Sequence, residues 1–113
     1  MTYNIHYAQQ ARRDLDDIWD YIAEELQNAD AAGRMINRIM DAVDRLADYP
    51  EMGAPLSSVV DARSDDYRFL VTGQYLTFYR VCGGDVYVDR ILYGRRDYLR
   101  LLFEGAETGN AEE

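Results

Sequence analysis

The chain has 113 residues, 48% of them apolar, and a net charge of −9 from 21 acids against 12 bases, every one of those bases an arginine. That length suits one domain with a modest core. No eighteen-residue apolar run, no basic-then-apolar start, one cysteine (Cys82) and one histidine (His6) are present, so the expectation is a cytoplasmic chain with no membrane span, secretory leader, disulfide framework or Cys/His zinc site.

Residues 2–7 (TYNIHY) alternate loosely and predict a short first strand. The period then changes. Leu15, Ile18, Trp19, Ile22 and Leu26 repeat at helical spacing, which predicts a helix over 8–26. Asn28 or Asp30 offers a cap for a second helix over 29–49, with Ala32, Met35, Ile36, Ile39, Met40, Val43, Leu46 and Ala47 on its apolar face. Pro50 stops it. Two amphipathic helices with so short a joint form an antiparallel hairpin, and its core is expected from Trp19, Ile22, Ile36, Ile39, Val43 and Leu46.

Residues 51–64 carry Gly53, Pro55 and three serines and read as a connection. Three runs rich in Tyr, Phe and Val follow at about 66–72, 75–82 and 86–93, separated by Gly73-Gln74 and Gly83-Gly84-Asp85. Such turn signals predict an antiparallel meander. Tyr98, Leu99, Leu102 and Phe103 then recur at helical spacing over 95–103. The acidic tail 104–113 has no large apolar residue and is expected to be disordered. The outcome is a single α+β domain over 1–103, a helical hairpin packed on a small, largely antiparallel sheet in the order β-α-α-β-β-β-α. Both parities of the strands carry apolar groups: Phe69, Val71, Tyr79 and Val81 on one, Leu70, Leu76 and Phe78 on the other. A hairpin covers one sheet face, so the second either packs on the last helix or awaits a partner, and the partner is favoured because one short helix covers little of a four-stranded sheet.

Few residues offer chemistry. Asp14, Asp16, Asp17, Asp20, Glu24 and Glu25 crowd the first helix. Asp16, Asp20 and Glu24 share a face that could be drawn around a hard cation, but a solvated helix face accounts for the whole run. His6 is taken as structural rather than as a general base, and Cys82 as a small buried hydrophobe. No metal or cofactor is expected. Arginine and tyrosine remain. Arg68, Arg80 and Arg90 fall one per strand, and Arg95 and Arg96 follow the last strand beside Tyr98. Such a set suits phosphate, stacked bases or the carboxylates of an acidic partner, unless local acids such as Asp65, Asp66, Asp89 and Asp97 absorb it. Arginine keeps its proton, so none of these can act as a general base.

The run YRFLVTGQYLTFYRVCGGDVYVDRILYGRRDYLRLLF, together with DLDDIWDYIAEEL and the YPEMG turn, resembles the RelE/ParE superfamily, the toxins of type II toxin–antitoxin modules, over residues 3–103. The resemblance implies the same β-α-α-β-β-β-α order, a cognate antitoxin as main partner, contact with operator DNA only through that antitoxin, and growth arrest when the toxin is free. It implies one of two targets: ribosome-bound mRNA, cut by RelE-like members, or DNA gyrase, inhibited by ParE-like members, which are not nucleases. Matching strand to strand, Arg68 fills one basic position of the nuclease set and Arg95 and Arg96 keep a basic pair. Leu70 and Leu76 stand where two other cations belong, and Leu102 falls near the expected tyrosine, one helical turn after Tyr98. Losing two cations removes charge stabilisation at a phosphate, and a −9 chain meets RNA against its own field. The ParE-like branch is therefore favoured, with a RelE-like mRNA endonuclease or a degenerate toxin that only binds its antitoxin as alternatives. Arg68, Arg95, Arg96 and Tyr98 are the expected toxic-site residues. Leu70, Leu76, Phe78, Arg80 and Arg90 are the expected antitoxin contacts.

Overall fold

A computed structural model describes residues 2–56 and 67–94. Its elements follow the expected order. Strand β1 (Asn4–Tyr7) leads into α1 (Gln9–Asp20), which widens into a π-helical turn over Tyr21–Glu25. Helix α2 (Ala29–Asp44) tightens into a 3-10 turn over Arg45–Ala47. The Asn28 side chain caps α2 by accepting the Ala31 N–H at 3.0 Å, which satisfies one of the amides a helix start leaves open. Gln27, at φ 54°, supplies the left-handed step between the two helical segments. The meander is β3 (Tyr67–Thr72), β4 (Tyr75–Cys82) and β5 (Asp85–Tyr93). Glycines at φ 60° and 62°, Gly73 and Gly83, make its two turns. The last helix expected over 95–103, the tail and most of the 51–64 connection lie outside the described residues. No helix among the described residues is long and apolar enough to cross a membrane.

The sheet adds two things that periodicity does not supply. A two-residue strand, β2 (Ala54–Pro55), pairs with Arg68 and Phe69 at the outer edge. At the other edge β1 runs parallel to β5, Asn4 to Tyr7 beside Asp85 to Val88. The order is β1-β5-β4-β3-β2.

The hairpin covers one face. Ile18, Ile22, Ile39, Val43 and Leu46 pack with Leu70, Tyr75, Tyr79, Val86, Val88 and Ile91. A smaller cluster of Leu56, Phe78 and Leu92, flanked by Tyr67, Phe69 and Leu76, lies on the other face. The register corrects the expected grouping by parity. Leu70 pairs with Thr77 and Phe69 with Phe78, so an even residue of β3 shares a face with an odd residue of β4. Leu70 therefore points to the helices, while Leu76 and Phe78 point away.

Two core expectations, Trp19 and Ile36, and one helix-face expectation, Leu26, change. Trp19 is 41% exposed. The buried line of α1 runs through Ala11, Asp14 and Ile18, which places Trp19 at the seam of the hairpin, where its ring lies against Gly33 of α2. Leu26 is exposed, because the wider π turn carries the end of the segment out of phase with the apolar face. Ile36 is only partly buried against the core. Cys82 is also exposed, at the end of β4, rather than buried.

Candidate target and partner surface

The meander is not regular. Along β4 and β5 the pairing shifts between Phe78, which faces Arg90, and Tyr79, which faces Val88. Asp89 is the extra residue of a β-bulge. Before it, the even residues Val86 and Val88 enter the helix-side core; after it, the odd residues Ile91 and Tyr93 do. Asp14 stands over this point. It is 5% exposed, in the middle of the buried line of α1. One of its oxygens, Oδ2, accepts both the Ile91 backbone N–H at 2.8 Å and Arg90 Nε at 2.9 Å, and Oδ1 accepts Arg90 Nη2 at 3.2 Å. A buried carboxylate is tolerated only with such compensation. The same residues floor a groove of about 910 Å³ between α1, the π turn, the start of α2 and the β3–β4 turn, with Ile18, Ile22, Met35 and Tyr75 among its apolar walls. Beyond Tyr93 the strand leaves across the β3–β4 turn, Gly94 donating its N–H to the Gln74 carbonyl at 2.7 Å.

At the opposite edge, the YPEMG turn is fastened to the sheet. The buried Tyr79 hydroxyl donates to the Pro50 carbonyl at 2.8 Å and accepts the Gly53 N–H at 2.9 Å. Arg68 donates to the Gly53 carbonyl at 2.8 Å and more weakly to that of Glu51 at 3.4 Å. Burial raises the Tyr79 pKa, opposed by the Gly53 N–H and the Arg68 charge. Gly53 has no room for a side chain. An added Cβ would sit 2.6 Å from the Phe69 carbonyl oxygen and 2.7 Å from the Tyr79 hydroxyl.

The sheet face away from the helices carries a row straight across four strands: His6 beside Tyr87, Tyr87 beside Arg80, Arg80 beside Tyr67. His6 stacks on Tyr87 with centroids 5.0 Å apart, and the Arg80 guanidinium lies over the same ring at 5.4 Å. Arg80 grips Asp89 through two bonds, at 2.7 and 3.3 Å, and Tyr67 donates to the same carboxylate at 2.9 Å. The hydrogen bond to Asp89 raises the Arg80 pKa. At the end of the row His6 Nε2 meets Asp85 Oδ1 at 2.9 Å, which lowers the Asp85 pKa.

The model of the ParE toxin of type II toxin–antitoxin systems matches residues 5–98. This chain belongs to the ParE toxin family. Toxin ParE1 of Caulobacter vibrioides is 30% identical over 86 residues, 76% of this chain and 83% of its own. The protein Y4kP of Sinorhizobium fredii is 34% identical over 100 residues, 87% of this chain and 95% of its own. Two solved structures share the fold. A chain of the chromosomal ParDE system of P. aeruginosa superposes with a TM-score of 0.67 at 23% identity, over 81% of this chain and 96% of that one. A chain of the RelBE2 toxin–antitoxin complex of Mycobacterium tuberculosis gives 0.61 at 20%, over 82% and 99%.

Of the toxic-site residues expected in this ParE-family chain, Arg68 falls among the described residues. Arg95, Arg96 and Tyr98 lie outside the described residues, directly after Gly94. Arg68 is at the far edge, engaged with backbone carbonyls. Among the expected antitoxin contacts, Leu76 and Phe78 share the face away from the helices, although Phe78 is fully buried within its cluster. Leu70 is turned to the helical side and 8% exposed. Arg80 is paired with the neighbouring acid Asp89, and Arg90 with Asp14 of the acidic first helix. Asp16, Asp20 and Glu24 are exposed, and no three His, Cys, Asp or Glu among the described residues are grouped to hold a metal. The missed residue is Asp14. Its signal was its position, three after Ala11 and four before Ile18, in line with the apolar stripe.

Proposed function

We propose that this ParE-family toxin arrests growth by gripping a protein target, DNA gyrase, and that a cognate antitoxin neutralises it. One observation carries the choice of target. The three strand arginines are each engaged inside the molecule: Arg68 on the carbonyls of the YPEMG turn, Arg80 on Asp89 and Arg90 on Asp14. A phosphate in flight needs donors aimed at developing charge, and donors already bonded to carboxylates serve that poorly. Position 70, where a nuclease would place a further cation, is a leucine facing the helical core. Arg95 and Arg96, with Tyr98, remain the proposed toxic residues, and Arg68 becomes a support for the edge strand. Guanidinium pairs of this kind suit the carboxylates of a protein surface.

The antitoxin is proposed from the company the fold keeps, since the two solved relatives come from toxin–antitoxin systems. Leu76 and the 65% exposed Val71, paired across β3 and β4, offer it apolar purchase on the face away from the helices. The test is induction of the chain alone in bacteria, with and without Arg95→Ala plus Arg96→Ala, alongside a supercoiling assay with purified gyrase. The expected result is inhibited supercoiling, a chromosome-damage response and intact mRNA, all lost in the double variant. Cleavage of ribosome-bound mRNA within codons, with gyrase unaffected, would establish the nuclease alternative instead.

A further inference from the structure

The Asp14–Arg90 pair poses a question that stability does not answer. Taking two charges out of water rarely gains net free energy over well-packed apolar groups, whereas ionic pairs of this kind can fix one register among several. Register is what is at stake here. Residues before Asp89 enter the core by even number and residues after it by odd number. Without the bulge, Ile91 and Tyr93 would turn to the far face and Leu92 inward, because a one-residue slip reverses every side chain. The orientation in which β5 delivers Gly94 depends on where the bulge sits.

We propose that Asp14 is a positioning residue of the toxin, holding the β5 bulge through the Ile91 N–H so that the chain leaves the sheet at Gly94 in one fixed phase. The proposal rests on the reading of Arg95 and Arg96 as toxic residues. The geometry singles out one atom. Asp14 Oδ2 takes both the Ile91 N–H and Arg90 Nε, while Oδ1 takes only Arg90 Nη2. An asparagine with its carbonyl oxygen at the Oδ2 position keeps two of the three bonds, its NH2 then meeting Arg90 Nη2 donor to donor, and alanine keeps none. The carboxylate thus ties the first helix to the last described strand across 77 residues of sequence.

The experiment compares Asp14→Ala, Asp14→Asn and Val43→Ala, the last a cavity at a fully buried α2 position chosen to lower stability while leaving every Asp14 hydrogen bond in place. Each is expressed without antitoxin, and growth arrest is read against the level of folded protein. Amide exchange at Ile91 and the backbone resonance of Gly94 are followed on purified protein. At matched folded level, Asp14→Ala should need about tenfold more protein than Val43→Ala to arrest growth. Its Ile91 amide should exchange freely and its Gly94 resonance should move. Asp14→Asn should recover arrest to within about threefold of wild type and keep Ile91 protected. Equal potency of Asp14→Ala and Val43→Ala, or an asparagine variant as impaired as alanine, would overturn the proposal. If Asp14→Ala fails to accumulate, Ile91 exchange in Asp14→Asn decides alone, an unprotected amide counting against it. The double arginine variant keeps the two readings apart: continued arrest there removes the toxic pair, while Ile91 exchange still judges whether Asp14 holds the bulge.

Discussion

Replacing Tyr79 by Phe removes one oxygen and leaves the ring in place. That oxygen holds the YPEMG turn at both ends, accepting the Gly53 N–H and donating to the Pro50 carbonyl. Gly53 is buried, so its amide loses its partner without gaining water, a cost of about 1–2 kcal/mol; Pro50 is only partly buried and rehydrates, leaving the net value of one hydrogen bond, about 1 kcal/mol. The expected loss is therefore about 2–3 kcal/mol, measured by urea unfolding with an unchanged m-value. Arg68→Ala should cost less, since its bonds are to the partly exposed outer carbonyls. Because Arg68 and Tyr79 hold the same turn, the double variant should fall short of the sum of the single losses by about 0.5 kcal/mol or more. Amide exchange at Gly53 reports the turn directly and should rise in Tyr79→Phe ahead of the core amides. A loss below about 0.5 kcal/mol, with Gly53 still protected, would show that the turn is held by something other than this hydroxyl.

Gly53→Ala should cost about 2–3 kcal/mol, because the new methyl meets the Phe69 carbonyl, which is backbone and cannot step aside; thermal unfolding checks it. Tyr7 gives the opposite result at neutral pH. Its hydroxyl is buried with no hydrogen-bond partner among the described residues, so Tyr7→Phe should leave stability within about 0.5 kcal/mol of wild type or slightly above it. Burial, with Asp44 nearby, pushes the Tyr7 pKa up to about 12 from an ordinary 10.0. The folded state thus favours the protonated phenol. The stability tied to it is complete below pH 10 and drains away between pH 10 and 12, a slope that denaturation across that range should find reduced in Tyr7→Phe. Trp19→Ala should cost about 2 kcal/mol rather than the 3–5 of a fully buried tryptophan, given its 41% exposure, and the single tryptophan should emit at a partly solvated wavelength.

Local signals carried much of this fold. Helical spacing marked both arms of the hairpin, Asn28 marked the cap, and Gly73-Gln74 and Gly83-Gly84 marked the turns, because each depends on neighbours within a few residues. What escaped depends on distant ones. The parallel pairing of β1 with β5 joins Asn4 to Asp85, and nothing in TYNIHY names its partner. Strand β2 is two residues long and exists because Tyr79 and Arg68 hold the preceding turn against β3. Among six acids on or just beyond α1, only Asp14 lies on the buried stripe, yet its acceptance there requires a bulge far along the chain. Trp19 was placed in the core by counting it with Ile18 and Ile22, although the stripe is centred a third of a turn away.

The connection between the chain's two ends bears on when the sheet can close. His6 meets Asp85 across 79 residues, and Asp14 meets Arg90 across 76. During synthesis the first strand and first helix emerge early and have no sheet to join, since loop closure on this scale must precede any reward from contact. The meander can pair locally, but β1 and the carboxylate of α1 are satisfied only when β5 arrives. The nascent sheet is thus held back by its own topology, and its architecture closes only once β5 has been made. Until then the first helix carries the Asp14 carboxylate and its apolar stripe with no strand to cover them.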